Sequence, residues 1–201
     1  MLLHRGQFLQ YISDSAQSNI LNESFQRTRS FSSSTISSGM GTMVFISHKH
    51  SDLNNKELSG LLQYLSQKFN IIPYIDCMDP KMPEKTCAET ANRIKSVIAY
   101  SERFILLATE DALKSMWCNW EVGIADKTKY QNDKMAILPL LERNQLEGDY
   151  AGNEYLRLYP YINREVTSLG KYSYYVHIPR TQKRLRLSEW INPTQTKRIY
   201  G

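Results

Sequence analysis

Glu121 stands four residues after Trp117 in the run Ser115-Met116-Trp117-Cys118-Asn119-Trp120-Glu121. Positions four apart lie on one face of a helix, so the indole and the carboxylate can point into one pocket. Few other catalytic arrangements compete. No glycine-rich phosphate loop follows the first apolar run; Gly39 and Gly41 precede it, the wrong side for a dinucleotide fingerprint. There is no GxSxG elbow of a serine hydrolase. His48 and His50 are two apart and face opposite ways if extended, with no carboxylate or thiol at metal-ligand spacing, so no metal is expected. Cys77, Cys87 and Cys118 are odd in number and lack CxxC spacing, which excludes a disulfide framework and a zinc site and fits reduced, inert thiols in a cytosol. The plain alternative for Glu121 is a solvated helix residue, and for Trp117 and Trp120 a place in the core.

The elements that must hold this run read as alternating strands and helices. Met43 to Ser47 is a short apolar run, as expected of a strand buried on both faces. Asp52 or Asn54 can cap the helix that follows, in which Leu58, Leu61, Leu62, Leu65 and Phe69 recur at helical spacing. Ile71 to Ile75 is a second strand, and its Pro73 is best tolerated on a sheet edge. Asp76 to Lys85, with Pro80 and Pro83, is a loop. Thr86 opens a helix with Ala88, Ala91, Ile94 and Ile98 on one face. Residues 103–108 are a third strand, 110–129 a helix in two pieces, and 135–140 a fourth strand. Such alternation predicts a small doubly wound α/β domain with a parallel sheet. In strand order 2-1-3-4-5 the ligand cleft lies beyond the carboxyl ends of strands one and three. There the loops 47–52, 76–85 and 109–111 converge with Trp117 and Glu121.

Three segments follow from this pattern. Residues 1–42 form an N-terminal extension with a short amphipathic helix and a serine-rich linker. Residues 43–141 are the core. Residues 142–201 are a C-terminal extension completing or covering it, with a strand over 172–178 and a strand or short helix over 185–191. The chain carries +5 net charge, and the surplus falls at the C-terminal end: ten Lys/Arg face six Asp/Glu after residue 141, against twelve and twelve in the core. Lys183, Arg184 and Arg186 make the only dense basic cluster, which reads as a solvated turn, so no nucleic-acid partner is expected. No apolar run of about 18 residues exists to span a membrane.

Four blocks together resemble a known family. Val44-Phe45-Ile46-Ser47-His48, Tyr74-Ile75-Asp76 before a proline-bearing loop, Phe104 to Leu107, and Ser115 through Glu121 match in order and spacing the Toll/interleukin-1 receptor (TIR) domain. The resemblance covers about half the chain and is to bacterial TIR proteins of anti-phage systems, of the Thoeris kind. It implies a flavodoxin-like fold of strand order 2-1-3-4-5. It also implies an NAD⁺ glycohydrolase or cyclase that is cytoplasmic, releases nicotinamide, and makes a nucleotide signal for an effector protein. NAD⁺ is then a substrate, and no cofactor is needed.

By the same resemblance Glu121 is the catalytic residue. Phe45 and Ser47 line the floor, and His48 and Lys49 face ribose and phosphates, Lys49 offsetting phosphate charge. Asp76 ends strand two, and Trp117 offers a stacking face beside the nicotinamide ribose. One carboxylate suffices because nicotinamide leaves neutral and needs no general acid, whereas ordinary glycosidases use two. The loop 76–86 departs from the family in having no glycine, which bears on self-association, since that loop often completes a neighbour's site in TIR assemblies. The competing function is a non-catalytic TIR–TIR interaction module. A transferase acting on free nucleosides is a further alternative. The tyrosine-rich C-terminal segment is expected to tune the product rather than the cleavage.

Overall fold

The computed structural model describes residues 3, 6, 8–11, 41–51, 56–76, 79, 87–140 and 153–193. The expected caps Asp52 and Asn54, nearly all of the loop 77–86, and Cys77 lie outside them, as does most of the N-terminal linker. Seven strands form one sheet. They are β1 (Thr42–Ser47), β2 (Ile71–Tyr74), β3 (Arg103–Ala108), β4 (Met135–Pro139), β5 (Tyr161–Val166), β6 (Tyr172–Ile178) and β7 (Lys183–Arg186), in the order β2-β1-β3-β4-β5-β6-β7. The first five are mutually parallel, in the expected order 2-1-3-4-5; β6 and β7 continue the sheet antiparallel.

The helices fall where the apolar spacing put them. They are α1 (Lys56–Phe69), α2 (Ala88–Tyr100), α3 (Glu110–Leu113), α4 (Met116–Lys129) and a short α5 (Leu187–Ile191). The segment 185–191 is therefore both strand and helix, changing from one to the other at Leu187. Strands β1, β3 and β4 are buried along their whole length, as runs packed on both faces must be. Pro73 sits on β2, at the sheet edge, where its missing N–H costs no ladder bond to an outer neighbour.

Two apolar clusters sandwich the sheet. On one side Leu58, Leu61, Leu62 and Leu65 of α1 pack on Val44, Ile46, Ile105 and Leu107, together with Val176, Ile178 and Trp190. On the other side Ile94, Val97 and Ile98 of α2, and Cys118, Val122 and Ala125 of α4, pack on Phe45, Phe104, Leu106 and Ile137. The alternation along β1 thus assigns Phe45 and Ser47 to the side of α4 and Val44 and Ile46 to the side of α1.

The described residues of both flanking segments pack on the domain. Leu3 and Phe8 are buried against α1, and Phe8 packs its ring on Tyr64 and on Tyr174 of β6. Gly60 makes that approach possible: a Cβ there would come within 2.1 Å of the Phe8 carbonyl oxygen. At the amino ends of the strands α5 closes the sheet. Trp190 donates its indole N–H to the Asp133 carbonyl and accepts at its own carbonyl from Arg103 Nε, at 2.7 Å. Asn192 bonds the Phe69 carbonyl and the Thr42 hydroxyl. The boundary at 141 therefore falls inside one continuous sheet, whose fifth parallel strand comes from the C-terminal segment.

Candidate active site

The carboxyl ends of β1 and β2 and the start of α4 meet at one end of the sheet. Helix α4 begins there for a local reason. Ser115 has an extended backbone and its hydroxyl accepts from the Cys118 N–H, so the chain leaves α3 and restarts as a new helix. From that start Cys118, Glu121, Val122 and Ala125 fall on the buried face. Glu121 thereby meets the last residue of β1. The Ser47 hydroxyl donates to Glu121 Oε2 at 2.6 Å, joining residues 74 apart in sequence.

This carboxyl is only 3% exposed. Burial pushes it up to about 8; the Asp76 carboxylate adds to the rise and the Ser47 hydrogen bond opposes it. One turn earlier on the same face, burial likewise pushes the Cys118 thiol up to about 11, so it stays protonated and unreactive.

Asp76 follows β2 and is held by what comes after it. Asp79 donates its backbone N–H to the Asp76 carbonyl at 2.9 Å. The Asp79 carboxylate in turn accepts from Tyr74 Oη at 2.7 Å and from Arg93 Nε at 3.0 Å. The His48 side chain is buried beside Asp76, with Nδ1 3.3 Å from the Ile46 carbonyl oxygen and 4.0 Å from Asp76 Oδ1. A carbonyl can only accept, so Nδ1 carries the proton. Lys49 is half-buried on the next residue.

Trp117 is 38% exposed and stands edge-on to Trp120, ring centroids 5.0 Å apart. Lys95 of α2 lies 5.7 Å over the Trp120 ring. Ser47, Glu121, His48 and Asp76 therefore come together, and Trp117 stands at the exposed start of the helix that carries Glu121. Phe45 is placed differently. It is fully buried, stacked on Phe104 at 5.6 Å and tilted against Tyr74 at 5.3 Å, one layer beneath Ser47.

A further set of side chains braces α4 from outside. Asn119 Nδ2 and Asn153 Nδ2 both donate to the Leu113 carbonyl, at 3.1 and 2.7 Å. Tyr155 Oη donates to Asn119 Oδ1 at 2.6 Å. The 3₁₀ turn Glu154–Leu158 thus lies along α4, with Leu156 buried beneath it. Nothing in the sequence pairs Asn119 with a tyrosine 36 residues away.

Comparisons with known proteins bear on the family. A family model described as "TIR domain" matches residues 44–168. A Bacillus cereus (strain MSX-D12) protein named "Probable 3′ cyclic ADP-D-ribose synthase ThsB′" is 29% identical over 151 residues, 74% of each chain. The match runs past residue 141 and takes in β5, as the continuous sheet requires. Fold, strand order and family match converge, and the chain belongs to the TIR domain family.

Proposed function

We propose that this protein cleaves NAD⁺ between nicotinamide and ribose, with Glu121 as the catalytic residue, and that the ADP-ribosyl group leaves as a linear or cyclised product. The observation that carries the reading is the buried Glu121 carboxyl, fixed by Ser47 at 2.6 Å at the carboxyl end of the sheet and standing one turn behind a half-exposed indole. The similarity to a protein named as a cyclic ADP-ribose synthase supports both the substrate and a cyclic product.

The chemistry needs little more. The C1′–N bond breaks, its electron pair leaves with neutral nicotinamide, and C1′ becomes cationic. An ionised carboxylate held close by, in a site with little water, stabilises that cation by several kcal/mol. An oxygen nucleophile then bonds to C1′ and loses its proton. Water gives linear ADP-ribose, and a hydroxyl of the same molecule gives a ring. Glu121 holds its proton at rest, and the positive nicotinamide ring favours the anion, so substrate entry and proton release are linked.

Ser47 orients Glu121; Asp76 and His48 face the ribose, Lys49 the phosphates, and Trp117 stacks beside the nicotinamide ribose. Phe45 supports this floor from beneath. NAD⁺ is consumed, and no cofactor takes part. Self-association, a cytoplasmic setting, and a nucleotide product acting on an effector in antiviral defence complete the reading. Among the described residues no helix is long and apolar enough to cross a membrane.

The test is chromatography of NAD⁺ incubated with concentrated protein, wild type beside Glu121→Gln. Nicotinamide appears with the wild type, and release falls at least about 10²-fold in the variant. Equal release by both removes Glu121 from the mechanism. No release from a folded wild type at high concentration overturns the reading in favour of an interaction module.

A further inference from the structure

Glu121 and Trp117 share a helix but not an anchor. Glu121 is tied inward, to Ser47 on β1. The first turn of α4, which carries Trp117, is tied outward. Its Asn119 donates to the Leu113 carbonyl, where α3 ends, and accepts from Tyr155, while Asn153 donates to the same carbonyl. Tyr155 and Asn153 come from the residues just before β5.

We infer that the network of Asn119, Tyr155 and Asn153 is a product-selecting brace: it fixes the first turn of α4 and the Trp117 indole, and so decides which oxygen captures C1′ after nicotinamide has left. The inference rests on the proposed cleavage of NAD⁺. A cation at C1′ is captured by whatever nucleophile already stands in place, so the ratio of products follows preorganisation and not the strength of the bond broken. Ring closure requires the distant part of the same substrate to fold back over the sugar, against the mouth of the site. Water has no such requirement. A half-exposed indole held edge-on to Trp120 is a surface against which the substrate can fold back, provided its helical turn does not move. The brace supplies that condition. Tyr155 is 39% exposed, so the hydroxyl that closes the network stands at the protein surface beside α4.

Asn119, Tyr155 and Asn153 act through Trp117 and are positioning residues. Tyr155→Phe removes one hydroxyl and leaves the ring that packs on Tyr159. Asn153→Ala removes the second donor to Leu113. Leu158→Ala, at an exposed residue of the same turn, is the control. NAD⁺ is incubated with each full-length protein, and cyclic and linear products are separated and counted per nicotinamide released. The cyclic-to-linear ratio falls roughly tenfold in Tyr155→Phe and Asn153→Ala, as expected of a reacting group displaced by a fraction of an ångström, and is unchanged in Leu158→Ala.

Lowered thermal stability with an unchanged ratio would show a merely structural brace and overturn the inference. A wild type that yields linear product alone also overturns it, while leaving cleavage standing. A wild type that releases no nicotinamide removes the cleavage reading, and this inference falls with it.

Discussion

Opposing demands fall on the proton of Glu121. Stabilising a cation at C1′ requires the anion, yet burial and the Asp76 carboxylate hold the neutral acid up to about 8, with the Ser47 hydroxyl pulling the other way. The activity of the free enzyme, as kcat/KM for nicotinamide release, is then expected to rise with pH toward 8. Its two neighbours should move that limb in opposite directions. Ser47→Ala withdraws a hydrogen bond from the ionised form and shifts the limb up by about one unit; Asp76→Asn removes a like charge and shifts it down. Shifts in the same direction would refute the electrostatic account.

Stability follows from the same proton. The ordinary value for this carboxyl is 4.5, so below it the group is neutral folded and unfolded alike and costs nothing. Between 4.5 and about 8 the unfolded chain releases the proton while the folded chain keeps it, so stability falls as pH rises, by up to about 1.4 kcal/mol per pH unit. Glu121→Gln removes the dependence. Thermal unfolding at pH 5, 6.5 and 8 should show a Tm advantage of the variant that widens with pH; a constant difference would count against the buried acid.

At the level of elements, the N-terminal arm and α1 depend on a missing side chain. Gly60 lies mid-helix, where alanine would ordinarily stabilise by about 1 kcal/mol. Here an added Cβ would meet the Phe8 backbone at 2.1 Å, and backbone cannot swing aside as a side chain can. Gly60→Ala should therefore lower the Tm of the full chain, while in a chain lacking residues 1–11 the same substitution should raise it. A substitution that stabilises both chains would mean the arm does not rest on α1. The arm's place was hidden in the sequence because the aromatic partners of Phe8, Tyr64 and Tyr174, lie far along the chain.

On the scale of the whole molecule, the C-terminal segment contributes three strands, β5, β6 and β7, to the sheet. Strand β4 has β3 on one side and β5 on the other, and β5 is delivered only after residue 160. Truncation near residue 145 would leave β4 as an open apolar edge and remove Trp190, whose carbonyl holds Arg103. The truncated chain is expected to lose cooperative thermal unfolding by circular dichroism; a sharp transition in it would contradict the role given to β5. For that reason truncation cannot test a tuning role for this segment, whereas point changes in its 3₁₀ turn can.

Features that depend on short-range pattern are legible in the amino-acid order. Four apolar runs at regular spacing specify parallel strands, leucines at helical intervals specify α1, and residues 110–129 read as a helix in two pieces. The four family blocks point to Glu121. The folded arrangement alone sets what Glu121 meets, because Ser47 and Asp76 reach it through strand order and not through spacing. It also decided that β5 belongs to the sheet, since Tyr161–Val166 alternates polar and apolar residues too weakly to declare a strand until β4 and β6 stand on either side. And it decided that Phe45 lies under the site, because the tilt and spacing of Phe104 and Tyr74 bury the ring completely. Local propensity is written in neighbouring residues; burial, proton affinity and the brace on α4 arise from groups that meet only when the chain has closed on itself.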